Sequence, residues 1–334
     1  MSLPKITVIT PSYNQGEFLE ETIQSVLNQG YPNLEYIIID GGSTDQSVDI
    51  ISKYSKELSY WVSEKDNGQS EAINKGFRRA TGEIVTWLNS DDLFMPNVLN
   101  QIVEHFDDQN IVLVHGGNIH FGKGMSDSTP HFTNKPHLMS RYLSGMCFDQ
   151  PASFFRKSAL DKVGLLDENL HYGMDYDLFL RLLLIGDFKP IDLVVSKYRL
   201  HERSKTVSLS DRFAKDWAKV YSKFCRSYPG LAHLVDLLKR LEVYEEVDKS
   251  NFRSIEREFQ LEDINKSFGF FIKHQIVSYY AQSSFDKCRE LLEFLLKYDK
   301  HVFNEFKLRR LLLQVKYLPA SVINLKNHLT TILR

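Results

Sequence analysis

Residues 6–89 alternate between strand and helix signals, and that alternation restricts the fold more than any other feature of the chain. Ile6-Thr7-Val8-Ile9-Thr10 is a β-branched run. From Glu17 to Gln29, Phe18, Leu19, Thr22, Ile23, Val26 and Leu27 share one helical face, and Gly30 ends the helix. Leu34-Glu35-Tyr36-Ile37-Ile38-Ile39 is a second buried strand, Gly41-Gly42-Ser43-Thr44-Asp45 turns into a helix reaching about Tyr54, and a helix from Gln69 to Ala80 leads to a strand over Glu83–Asn89. Strand–helix–strand order of this kind predicts a mostly parallel, open α/β sheet with helices on both faces. A proline-opened helix is expected from Pro96 to Phe106, and a strand over Val112-Leu113-Val114-His115.

The pattern then loosens. Residues from about Gly122 to Gly145 read as a long surface loop, a length that is usually functional. Order returns with Ala152–Arg156, a helix starting near Ser158, a helix from about Asp175 to Ile185 and a strand over Leu193–Arg199. Beyond about Ser208 strand signals stop, and Leu, Lys, Glu and Tyr recur at helical spacing. The expected division is residues 1–208 as an α/β domain and 209–334 as an all-α region.

Composition excludes several classes. A net charge of −2 and a pI near 6.6 give no global case for nucleic acid. Cys147, Cys225 and Cys288 are far apart, so neither a zinc site nor a disulfide framework is expected, and a reducing compartment is the default. Met1-Ser2-Leu3-Pro4-Lys5 leads at once into a strand, which does not read as a signal peptide. Apolar runs are broken early, as at Lys273, well short of the ~20 residues of a membrane span. A cytoplasmic protein is expected, with peripheral attachment to the inner face of the cell membrane as a variant of that reading.

Chemistry concentrates at Leu88-Asn89-Ser90-Asp91-Asp92-Leu93-Phe94, directly after a predicted strand. Ligands of open α/β sheets bind beyond the carboxyl ends of strands. Oxygen donors there suit a hard divalent cation, and such cations suit phosphates. Ser-Asp-Asp before a helix is also a good N-cap string, so one aspartate is expected to bind metal and the other to cap or brace a neighbour. Asp40 ends the second strand, where a carboxylate can accept from a ribose or a base N–H, or can form an Asx-turn. The turn Thr10-Pro11-Ser12-Tyr13-Asn14-Gln15-Gly16 is neither a dinucleotide fingerprint nor a P-loop. Tyr13 can stack on a base or pack at the loop. Asp175 and Asp177 open a helix, where the dipole favours anions; a carboxylate ionised at neutral pH can take a proton from a sugar hydroxyl, and helix-end charge is the plainer reading. His201 follows a strand, and beside a carboxylate its imidazole suits Mn²⁺.

Together these residues resemble glycosyltransferase family 2, with the GT-A fold, over roughly residues 4–205. The resemblance rests on Thr10–Asn14, Ile39–Asp45, Asp66-Asn67-Gly68 with Ala72–Gly76, Thr81-Gly82-Glu83, Leu88–Asp92 and Asp175-Tyr176-Asp177. It implies an inverting, metal-dependent transfer from a nucleotide-diphosphate sugar, a UDP-sugar being favoured, to a saccharide or lipid-linked saccharide acceptor. Pro11, Tyr13 and Asp40 would hold the nucleobase and ribose, Asp66 would lie along the donor site, and Asn89 and Ser90 would also bind the nucleotide sugar. Asn89, Ser90 and Asp91 occupy the D-x-D position, with Asp91 and His201 toward Mn²⁺ or Mg²⁺. Asp175 matches the general base, and Gln150 and Pro151 line the acceptor side. Cell-envelope polysaccharide or glycolipid synthesis follows by family analogy. Two residues depart from the pattern: Asn89 stands where Asp is more usual, and Met174 where relatives often carry Glu. A sugar nucleotidyltransferase shares such a core but would want a glycine-rich basic loop after the first strand. A catalytically silent glycan- or partner-binding module is the remaining alternative.

From Phe303 onward Lys307, Arg309, Arg310, Lys316, Lys326 and Arg334 face only Glu305, interleaved with Leu308, Leu311, Leu312, Leu313, Val315, Leu318, Ile323 and Leu325. Such a stretch can lie on an anionic bilayer, pack as a bundle helix with a solvated basic face, or form a homodimer contact.

Overall fold

Strands β1 (Ile6–Ser12), β2 (Leu34–Asp40), β3 (Tyr60–Ser63) and β4 (Ile84–Trp87) lie side by side in the order β3-β2-β1-β4, all parallel. The sheet continues through β7 (Ser153–Arg156), β6 (Ile111–Phe121) and β8 (Asp187–Arg199) to the two-residue β5 (Leu93–Phe94). β4–β7, β6–β7 and β5–β8 pair antiparallel, and β6–β8 parallel. The computed structural model describes residues 3–133, 137–204, 210–246, 252 and 254–324, and divides into two units. The first is Met1–Pro136, Met146–Ser208 and Arg253–Arg257; the second is His137–Gly145, Leu209–Phe252 and Glu258–Arg334. His137–Gly145 and Arg253–Arg257 therefore belong to the unit opposite to the one a single cut after residue 208 gives them. The cut itself, and Leu325, Lys326 and Arg334, lie outside the described residues.

In the first unit, helices α1 (Leu19–Leu27), α2 (Ser47–Lys53), α3 (Gln69–Arg79) and α4 (Val98–Ile102) link the strands, and α6 (Lys157–Val163) and α7 (Met174–Leu183) follow β7. Ile6, Val8, Leu19, Ile23, Val26, Ile38 and Leu88 are fully buried in one core cluster. Elsewhere in the unit Trp87 stacks on Phe179 of α7 at 5.9 Å and meets Phe77 of α3 edge-on at 5.9 Å, so both helices seat on the end of β4. Each such aromatic pair adds about 0.5–1.5 kcal/mol beyond burial.

Two expectations need correction. The helix expected over Pro96–Phe106 is α4 with a 3₁₀ turn at Val103–His105, because Asn97 is left-handed (φ +59°) and Gln29, far away in sequence, caps the start by accepting from Val98 N at 2.8 Å. The loop expected over Gly122–Gly145 contains a helix, α5 (Leu138–Ser144). Its Arg141 lies over the Phe270 ring and pairs with Glu305, so tertiary contacts within the second unit make it. The strand β3 carries too little periodicity to be read from sequence.

The second unit is helical: α5, α8 (Ser210–Ser227), α9 (Ala232–Arg240), α10 (Leu261–Ala281), α11 (Phe285–Tyr298), α12 (Lys300–Glu305) and α13 (Arg309–Tyr317). Tyr221, Phe224, Phe268, Phe270, Phe271 and Phe303 are buried, and Tyr221 stacks on Phe271 at 4.4 Å. No helix among the described residues is long and apolar enough to cross a membrane.

Candidate active site

Register brings the polar strand ends into one row. Ser12 pairs with Asp40, and Asp40 with Ser63, while Ile9 pairs with Trp87, two residues before Asn89. Asp40 is fully buried and its carboxylate is held at every side. Oδ2 accepts from Gly42 N (3.1 Å), Ser43 N (2.8 Å) and Ser63 Oγ (2.7 Å), and Oδ1 from Ser43 Oγ (2.6 Å). The Asx-turn reading of Asp40 is thus realised, and the turn it holds is laced to the loop after β1. Asn14 N donates to Ser43 Oγ at 2.8 Å, Thr44 N to Asn14 Oδ1 at 2.9 Å and Gly16 N to Asp45 Oδ2 at 2.9 Å.

Pro11 is buried in β1, whereas Tyr13 is 63% exposed and so does not pack at its loop. Ser12 Oγ and Gln15 Oε1 are buried without a hydrogen-bond partner among the described residues, a rare condition that calls for an explanation. Asp66 lies against Gly41: a Cβ at position 41 would stand 2.7 Å from Asp66 Oδ2, so any side chain there would require Asp66 to move. Burial raises the Asp66 carboxyl, assisted by the charges of Glu71 and Asp40, against the Gly68 N–H and Lys75.

Beyond β4 the two neighbouring aspartates diverge. Asp91 Oδ2 lies 3.0 Å from His201 Nε2, with the two side chains 17% and 13% exposed. The His201 ring sits 4.9 Å from Phe18. Asp92 turns inward, where its Oδ1 accepts from Arg199 N at 3.0 Å and its Oδ2 from Asn89 Nδ2 at 3.2 Å. Burial pushes the Asp92 carboxyl well up, and the charge of Asp91 adds to it. Asn89 Oδ1 accepts from Gln69 Nε2 at 2.7 Å. Ser90 is buried.

Asp175 stands in the first turn of α7, where Oδ1 accepts from Tyr176 N at 2.8 Å. Its neighbour Met174 receives Ser70 Oγ on its sulfur at 2.7 Å. The first turn of α3 thereby touches both candidate segments: Gln69 reaches Asn89 and Ser70 reaches Met174. Asp177 is structural, pairing with Arg181 at 2.7 Å, whose guanidinium also binds the carbonyls of Val163, Gly164 and Leu165. Gln150 Nε2 donates to Trp87 O at 2.7 Å, and Pro151 is buried beside it, so this segment is fastened to the end of β4.

Sequence reasoning missed the braces. Arg199 donates from Nε to Asp91 O at 2.8 Å, pairs with Glu21 and lies over the Phe18 and Phe121 rings at 4.8 and 4.3 Å. Asp149 Oδ2 accepts from Asn118 Nδ2 at 3.0 Å and lies 3.2 Å from His120 Nε2. Burial works to raise the Asp149 carboxyl, yet bonds from His120 and Asn118 and the charges of His120 and His131 hold it low. His120 is raised by the same bond. No local signal marks these residues, because all their partners are remote in sequence. A separate pocket of about 170 Å³, lined by His115, Phe132, Thr133 and Asp192 among others, includes none of the candidate residues.

Comparison with known proteins bears on the family and the fold. The sequence model described as Glycosyl transferase family 2 matches residues 7–164. An uncharacterized glycosyltransferase of Mycobacterium tuberculosis is 32% identical over 201 residues, 59% of this chain and 76% of that protein. This chain belongs to glycosyl transferase family 2. An uncharacterized glycosyltransferase of Rickettsia typhi is 28% identical over 222 residues, 61% of this chain, and the match spans 66% of that relative's length. Among solved structures, residues 1–349 of S. aureus TarS in complex with UDP-GlcNAc match with a TM-score of 0.57 at 18% identity, covering 91% of each chain. The mannosyltransferase PcManGT of Pyrobaculum calidifontis, in complex with GDP-Man and Mn²⁺, matches with a TM-score of 0.57 at 18% identity, covering 97% of this chain and 88% of that one. At such identity these two structures establish the fold of the family-2 chain, the GT-A arrangement expected from its sequence.

Proposed function

We propose that this family-2 chain transfers a sugar from a nucleotide-diphosphate sugar to an acceptor hydroxyl, with inversion at the anomeric carbon. The observation that carries the reading is the Asp91–His201 pair, at 3.0 Å, with Asp91 following β4, the strand that pairs with β1 on the side away from Asp40 and Ser63. Pro11, Tyr13, Asp40 and Asp66 are assigned to the nucleotide. Tyr13 is the exposed ring available for stacking, and Asp40 acts through the turn it fixes. The unpartnered Ser12 Oγ between Pro11 and Tyr13 supports a polar ligand here.

One carboxylate and one imidazole, both largely buried, fit Mn²⁺ or Mg²⁺ as a two-donor site. Among the described residues no cluster of three or more His, Cys, Asp or Glu could hold a metal, so Asp91 and His201 would share it with donor oxygens. When bound, the cation stabilises negative charge on the leaving diphosphate. Asn89 and Ser90 orient the loop toward the donor, Asn89 being fixed by Gln69. Asp175 removes the proton of the acceptor hydroxyl as that oxygen attacks from the face opposite the diphosphate. Gln150 and Pro151 bound the acceptor side.

A UDP-sugar is the favoured donor, in keeping with the UDP-GlcNAc bound by S. aureus TarS, and the GDP-Man of the mannosyltransferase makes a GDP-sugar the second choice. The acceptor is a saccharide or lipid-linked saccharide of cell-envelope polysaccharide or glycolipid synthesis. The test is hydrolysis of UDP-, GDP- and dTDP-sugars with Mn²⁺. Release of nucleoside diphosphate from one of them supports transfer. Pyrophosphate release from a nucleoside triphosphate and a sugar phosphate would make the protein a nucleotidyltransferase, and turnover of neither a silent binding module.

A further inference from the structure

We infer that the outward face of α13 and the residues after it dock on an anionic lipid surface, an interaction that requires nothing of the transfer chemistry. Helix α13 has two apolar sides. The inner one is spent on the fold: Leu308 and Val315 are buried, and Gln314 Nε2 donates to Tyr280 Oη of α10 at 2.8 Å. The outer one has no such use. Leu313 is 50% exposed and Tyr317, one turn on, 69%; Leu318 and Val322 follow at 41% and 45%. Other large exposed apolar side chains among the described residues, such as Met125, Leu261 and Val277, stand singly, which is normal for a surface. Here four fall within ten residues.

Cations frame this strip. Arg309 lies one turn before Leu313, and Arg310 and Lys316 flank it, all exposed. Lys316 comes within 3.7 Å of Glu293 of α11, whereas Lys307, Arg309 and Arg310 enter no ion pair among the described residues. Residues 306–334 hold Lys307, Arg309, Arg310, Lys316, Lys326 and Arg334 and no Asp or Glu, in a chain whose net charge is −2. Apolar side chains that enter the headgroup region, an amphipathic Tyr at its edge and lysines and arginines over anionic headgroups form the pattern of an interfacial helix. A second copy is a poorer occupant, because a two-fold contact sets the same patch against itself and opposes like charges.

The test is flotation of the full-length chain with phosphatidylcholine vesicles, with and without phosphatidylglycerol. Binding is expected only to the phosphatidylglycerol-containing vesicles, and to weaken as salt rises. Arg309→Gln/Arg310→Gln should lower partitioning roughly 25-fold, at about fivefold per base near an anionic surface. Leu313→Ser/Tyr317→Ser should also release the protein, with unchanged circular dichroism and unchanged donor turnover. The proposal is overturned if the wild type does not float, if it floats equally with pure phosphatidylcholine, or if both double variants float like the wild type. It is equally overturned if sedimentation without lipid shows a dimer that the Leu313→Ser/Tyr317→Ser variant loses, since the occupant is then a second copy.

Discussion

Asp40 ends β2 and Asp91 follows β4 in the same sheet, yet they are held in opposite ways. Three of the four hydrogen bonds at Asp40 come from Gly42 and Ser43, within three residues. The partner of Asp91 is His201, and the carbonyl of Asp91 is held by Arg199, both more than a hundred positions away. The first arrangement is a local turn that ligand chemistry can only borrow. The second exists only once β8 has docked, and under the proposed function its polar atoms would exchange partners with a cation.

Substitutions break or sharpen that contrast. Asp175→Asn, acting at the chemical step, is expected to lower kcat by about 10²–10⁴-fold, with donor affinity by calorimetry unchanged. Turnover near wild type would remove Asp175 from the mechanism. Asp91→Ala or His201→Ala should weaken Mn²⁺-dependent donor binding by at least about 10–100-fold, the loss that even an outer-shell change can bring. Their unfolding midpoints should hardly move, and a large drop there would put Asp91 in the same class as Asp40. Asp40→Ala should act first on stability, costing about 3 kcal/mol in denaturant unfolding, because two N–H groups and two hydroxyls lose one acceptor.

The smallest expected effect concerns the half-exposed His120–Asp149 pair. His120 is raised, so its contribution is complete below the ordinary histidine value and is lost as pH rises through its folded value. Asp149 is lowered, so its contribution is present above the ordinary carboxylate value and is lost as pH falls. The pair therefore stabilises from about pH 4 to somewhat above about pH 6.5. His120→Gln should flatten the stability profile there by about 0.5 kcal/mol, after allowance for solvent screening.

The same contrast explains what the sequence made legible. The parallel half of the sheet follows from β-branched runs alternating with helical faces, and Ile39–Asp45 reads as a turn because its bonds are local. The family is readable because its motifs keep their order along the chain. What stayed hidden depends on distant partners: the Gln29 cap that begins α4, the α5 helix held by Arg141, the edge strand β3, and the bracing of Asp91 and Asn89 by Arg199 and Gln69. Residue type at those positions is unremarkable, and only the closed fold gives it meaning.

The opening turn of α3 carries a mechanical consequence. Adjacent side chains there reach two candidate segments, Gln69 the Asn89 loop and Ser70 the start of α7 at Met174, so the helix ties the two together. A slide of that helix would carry the proposed donor loop and the proposed proton acceptor together, as a hinge pin carries both leaves.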